Sequence, residues 1–106
     1  MKKQITVQEI ADFLGSELIA INGSVEDAFI ENLADMDHVN EHTLDWVNAS
    51  KPNKQEIAEN SPAKVLVVDP GVAYTEAMSK DNKTLLIVEK PRFVMASIAN
   101  HFVIEP

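Results

Sequence analysis

The stretch most suggestive of chemistry is His38-Val39-Asn40-Glu41-His42. It matches H-x-x-E-H, the inverted zinc-protease pattern, in which two histidines on one helical face hold a metal. Such a site also needs a third ligand from a second element and a cleft for a peptide. Asp37 to Thr43 carries no apolar stripe to hold a helix against a core, so the expected state is a solvated acidic loop, with no metal. His101 falls near the end of the last expected helix, where an imidazolium meets the negative end of the helix dipole. The chain contains no G-x-G-x-x-G, Walker or G-x-S-x-G motif, and no serine has the context of a nucleophile. With no cysteine at all, thiolate chemistry, thiolate zinc sites and disulfides are excluded. Carboxylates are plentiful, but no spacing pairs two of them for acid–base work. The expectation is a chain without catalytic residues, cofactor or metal.

Binding has a better candidate. Trp46, the only tryptophan, sits in Leu44-Asp45-Trp46-Val47-Asn48 at the end of an expected strand, before the polar stretch 49–53. An indole there can stack on a base, worth about 1–3 kcal/mol. It can equally close the edge of a sheet, since an aromatic's large apolar area usually goes to packing.

Charge narrows the partners. Seventeen acidic residues against nine basic ones give −8 at neutral pH, which repels nucleic acid, and no basic stripe offsets it. No apolar run approaches the ~20 residues that span a bilayer. Met1-Lys2-Lys3-Gln4 leads directly into a capped helix rather than an apolar signal core, so a cytoplasmic location is expected. At 106 residues, 45% of them apolar, the chain suits one domain with one core.

The elements that must position these residues follow from local signals. Thr6 and Glu9 form a capping box, with Ile5 and Ile10 placed as a hydrophobic staple. Val7, Ile10, Ala11 and Leu14 recur at helical spacing and Gly15 stops the run, giving a helix over 7–14. Leu18–Ile21 reads as a strand, Asn22-Gly23 as a hairpin turn, and Val25–Leu33 as the returning strand. Residues 34–43 read as loop with at most one helical turn, and Leu44–Val47 as a short strand. Asn53 and Glu56 repeat the cap spacing before a short helix with Ile57 and Ala58 that Pro62 closes. Val65–Val68 and Leu85–Val88 are continuous apolar runs, as in strands covered on both faces. Asp69-Pro70-Gly71 is a turn within a linker between them. Pro91 opens the last helix, where Met95, Ala99 and Phe102 keep helical spacing. Together these give an α/β fold, a mixed β-sheet flanked by short helices in a single small domain.

Several of these segments, in order, resemble the N-terminal head of UDP-3-O-acylglucosamine N-acyltransferase, an enzyme of lipid A (lipopolysaccharide) synthesis in Gram-negative bacteria. Ile5 to Gly15 is similar to its opening helix and glycine stop. Ile30-Glu31-Asn32-Leu33-Ala34 resembles the segment before its acidic-polar loop. Leu44 to Lys51 resembles its aromatic-plus-asparagine-proline-lysine stretch. Residues 63–68 resemble its central strand, and Leu85 to Phe93 with Ala96 to Phe102 its closing strand, proline-started helix and terminal phenylalanine.

The resemblance implies a head, residues 1–106, that holds the uracil and ribose of a UDP-linked amino sugar. Trp46 matches the first of two aromatics that clamp the uracil ring. Asn48, or Ala49 if no gap is allowed, matches the asparagine, and Lys51 the lysine. The second aromatic, a tyrosine, falls on Pro52, which has no π-face. Acyl transfer from acyl carrier protein belongs, in that family, to a left-handed β-helix of hexapeptide repeats beyond the head, through which the enzyme trimerises. The expected state of this piece, an excised head, is therefore monomeric or weakly associated. Two other readings stay open: a packing or interaction module with a decayed pocket, and the head of another sugar-nucleotide acyltransferase.

Overall fold

The computed structural model describes residues 4–26, 28–33 and 39–102. Its centre is set by two short apolar runs. Val65–Val68 (β6) and Thr84–Val88 (β7) are buried at every position, which requires cover on both faces. Alternation then divides their side chains between two cores. Val65, Val67, Leu86 and Val88 join one apolar cluster, while Leu66, Val68, Leu85 and Ile87 join the other.

Helices cover both faces. On the first lie Val7–Leu14 (α1) and Pro91–Phe102 (α4), through Ile10, Leu14, Val94, Met95 and Ile98. On the second lie Lys54–Asn60 (α2) and Glu76–Lys80 (α3), through Ala58 and Met78. The remaining strands are Ile5–Thr6 (β1), Leu18–Asn22 (β2), Phe29–Ile30 (β3), Asn32–Leu33 (β4) and Thr43–Trp46 (β5). The main sheet has the order β2-β7-β6-β5-β4, and β1 pairs with β3 in a small second sheet. Strands β4 to β7 run parallel to one another, and within the main sheet β2 is antiparallel, on β7. The result is one compact α/β domain with a radius of gyration of 12.4 Å, close to the ~13 Å expected at this length.

The opening capping box forms as its sequence requires. Thr6 Oγ1 accepts from the Glu9 amide at 3.1 Å, and Glu9 Oε1 accepts from the Thr6 amide at 3.2 Å. Gly15 terminates α1 at φ +54.

The hairpin expected at Asn22-Gly23 does not form. Strand β2 ends at Asn22 but pairs with β7. Gly23, at φ +100, presses against the entrance of β7, where a Cβ would fall 2.3 Å from the Lys83 carbonyl oxygen. The glycine thus serves close backbone approach rather than a two-residue turn. The expected returning strand splits instead, with β3 joining the small sheet and β4 the main one. The stretch read as a linker contains α3, capped by Thr75 and anchored by the buried Met78. Its two apolar residues, Ala77 and Met78, are adjacent and so show no helical period. Asn82 follows α3 in the left-handed region at φ 57, a conformation asparagine tolerates.

Candidate functional site

Because β4 to β7 are parallel, their carboxyl ends share one edge of the sheet. In open α/β sheets ligands bind at this edge where the strand order reverses; here β4 to β7 lie side by side in chain order. Trp46 closes β5 there, paired with Val67 and on the α1/α4 face. Its ring is half-buried, packed against the core on one side.

The chain then turns sharply. The Asn48 Oδ1 accepts both the amide (3.0 Å) and the hydroxyl (2.9 Å) of Ser50, and the Lys51 amide donates to the Asn48 carbonyl at 3.1 Å. This is an asparagine-built turn of the kind that makes asparagine frequent in loops. It leaves the Lys51 side chain exposed. Trp46, Asn48 and Lys51 are therefore brought together on one strand end and the tight turn after it. Pro52, where the resemblance places a second aromatic, lines a shallow hollow on the outer side of α2 with Asn53, Gln55 and Glu56. The hollows beside His42, Asp45 and Pro52 are not lined by Trp46, Asn48 or Lys51.

Sequence reasoning missed the groups that brace this turn. Lys54, first in α2, places its ammonium 2.9 Å from Asp69 Oδ2 and 3.4 Å from the Ala49 carbonyl oxygen. Asp69 leaves the carboxyl end of β6 beside it. Gln55 binds Ala73 twice, accepting from its amide at 2.7 Å and donating to its carbonyl at 2.9 Å. No local sequence signal marks Lys54, and Asp69-Pro70-Gly71 reads only as a turn; their meeting depends on β5 and β6 lying side by side. The expected cap at Asn53 holds its position, but its side chain makes no capping bond.

At the same edge β7 delivers α4. Phe93 in its first turn is 68% exposed, with the Lys90 ammonium 5.7 Å from its ring centroid.

The histidines take aromatic partners. His42 stacks on Phe29 with centroids 4.6 Å apart, and His101 stacks on Phe13 at 4.0 Å. His101 does lie in the last turn of α4. His38 lies outside the described residues, and among the described residues no group of three His, Asp or Glu side chains could hold a metal. His42 and Phe29 line a hollow of about 300 Å³ at the amino ends of the parallel strands, with Glu41, Lys64 and Asn82.

Beside that opposite edge lies a buried charge. Lys83, 2% exposed, donates its ammonium to the carbonyls of Ser61 and Ala63. Burial lowers its pKa below the ordinary lysine value; Asp81 and Asp45 pull it up, while Lys64 pushes it down. The ammonium is spent on two carbonyls that close the α2–β6 connection, which is a structural use.

No helix among the described residues is long and apolar enough to cross a membrane. The chain matches no protein-family model and no curated protein.

Proposed function

We propose that this domain recognises a nucleotide-bearing substrate, with uridine of a UDP-linked amino sugar as the moiety it receives and an N-acyltransferase of lipid A synthesis as its setting. The observation that carries the reading is the position of Trp46. A half-buried indole ends a central parallel strand at the carboxyl edge of the sheet, and an ordered polar turn with an exposed lysine follows it. In this reading the indole stacks on the pyrimidine, Asn48 shapes the turn beside it, and Lys51 supplies positive charge toward the anionic substituents. The ordered resemblance of the flanking segments supplies the choice of uridine. These residues bind and orient; none is placed to move a proton or attack a carbonyl.

Titration with UMP tests this directly, read by Trp46 fluorescence and by backbone amide shifts. The expected outcome is a saturable change confined to residues 44–53. An unchanged spectrum at millimolar UMP would overturn the reading.

A second reading has its own observation. One side of the indole already packs on the core, and Pro52 offers no second ring. A one-sided stack forfeits about 1–3 kcal/mol, so the same fold can serve as a packing or interaction module. It requires concentration-dependent sedimentation, or capture of a defined partner, that is indifferent to nucleotide.

A further inference from the structure

We infer that the Lys54–Asp69 ion pair, seated over Gly71, is the positioning device that sets the 48–51 turn beside Trp46. The nucleotide half of this inference rests on the reading above; the structural half does not.

Three local departures from ordinary sequence logic converge at this one spot. The first is Lys54 itself. A cation at the first position of a helix faces the positive end of the helix dipole, yet Lys54 stands there, 24% exposed, against an aspartate that is 15% exposed. The second is Asp69. Its Oδ2 meets the ammonium, while Oδ1 is buried with no hydrogen-bond partner among the described residues. An unfilled buried acceptor is unfavourable, so this carboxylate is held in place by its pairing rather than by a full complement of bonds. The third is Gly71. Unlike Gly15 and Gly23, it has no positive φ, so its backbone does not call for glycine. What it supplies is room: a Cβ there would lie 2.5 Å from the Lys54 Nζ, 2.9 Å from its Cε and 3.2 Å from Asp69 Oδ2.

Local choices that disagree with their own element but agree with one another mark a feature with a use. Here the use is geometric. The Lys54 ammonium touches both the end of β6, through Asp69, and the Ala49 carbonyl inside the turn. It therefore fixes the turn against the neighbouring strand, not merely against itself. Without that tie, the turn keeps, among the described residues, the bonds within residues 48–54.

Hydrogen exchange resolves the point. Amides of Ser50 and Lys51 report the turn, and those of Leu66 and Leu86, in the central strands, report global stability. Gly71→Ala displaces the ammonium, and Lys54→Met removes it. The expected result in both is exchange about tenfold faster at Ser50 and Lys51, with Leu66 and Leu86 within about twofold of the parent, since local opening is separable from global unfolding. Lys54→Arg, which keeps a cation within reach of Asp69, restores the slow exchange. UMP affinity falls about three- to tenfold in the first two variants and recovers in the third. Parent-like exchange at Ser50 and Lys51 in both disruptive variants overturns the inference, as does equal acceleration of turn and core amides. If turn amides accelerate but UMP affinity holds, the pair does not position the binding edge. If the parent itself ignores UMP, the nucleotide reading falls, and the exchange rates still decide whether the pair positions the turn.

Discussion

The two edges of the parallel strands use polar residues in opposite ways. At the amino edge a set of polar groups is turned inward and tied to backbone, while Ser24, Glu41 and Asn82 stay exposed around the hollow there. Thr43 and Thr84 are buried, with Thr84 Oγ1 donating to the Ser24 carbonyl at 2.6 Å. The Tyr74 hydroxyl donates to the Lys83 carbonyl at 2.6 Å, Lys64 donates to the Asp81 carbonyl at 2.8 Å, and the Lys83 ammonium spans two further carbonyls. At the carboxyl edge, Lys51 and Phe93 project into solvent and Trp46 is half-buried. The buried polar side chains of the first edge hold the fold together, whereas the second edge carries the exposed Lys51 and Phe93 beside Trp46. A substitution at the first edge should therefore change stability and leave binding alone, and one at the second should do the reverse.

Lys83→Met gives the largest expected effect. Methionine retains most of the apolar stem but leaves the Ser61 and Ala63 carbonyls without their donor, a loss of about 2–3 kcal/mol given that hydrogen bonds to charged groups are the stronger ones. A urea midpoint that falls with an unchanged slope is the signature. The pH dependence has a definite sign. Burial lowers the folded pKa of Lys83, so between that value and the unfolded value the unfolded chain binds more protons. The lysine's contribution to stability accordingly rises with pH through the folded pKa. The parent should gain on Lys83→Met as urea melts move up in pH toward the unfolded lysine value, and a gap that narrows would contradict the lowered folded pKa.

Much of the fold could be read before the structure, and for a common reason. Thr6 and Glu9, Pro91, and the Val65–Val68 and Leu85–Val88 runs act through neighbours in sequence or through burial on both faces, which periodicity reports. The errors came where a residue acts across the fold. Asn22-Gly23 has the composition of a hairpin, but its glycine answers to the Lys83 carbonyl sixty positions on. Met78 anchors α3 alone. The candidate site divides along the same line. The Trp46–Lys51 segment is contiguous and legible, whereas Lys54, Asp69 and Gly71 meet only because β5 pairs with β6.

Trp46→Ala comes next and should separate the two readings of this edge. If the indole receives a pyrimidine, UMP affinity falls about ten- to a hundredfold, the equivalent of one lost stack. Trp46→Phe, which keeps a ring, should stay within about tenfold of the parent on the same scale. If the ring serves packing alone, both variants lower the melting temperature and neither changes a nucleotide titration. Asn48→Ala is smaller. It removes the acceptor for the Ser50 amide and hydroxyl, and the loss of about 0.5–1.5 kcal/mol should appear as faster exchange at Ser50.

Lys51→Gln is the smallest perturbation and the sharpest on the contrast between the edges. Its side chain is exposed, so stability should stay within about 0.5 kcal/mol of the parent. Any effect on binding must then come from its charge. An exposed cation acting on a nucleotide phosphate is screened by salt, with a Debye length of about 10 Å at 0.1 M. The expected outcome is UMP affinity about threefold weaker at low ionic strength, with the difference shrinking as salt is added. Uridine, which lacks the phosphate, should not distinguish the two proteins. A variant that binds UMP and uridine like the parent at every salt concentration would remove Lys51 from the site and leave the indole and its turn to act without it.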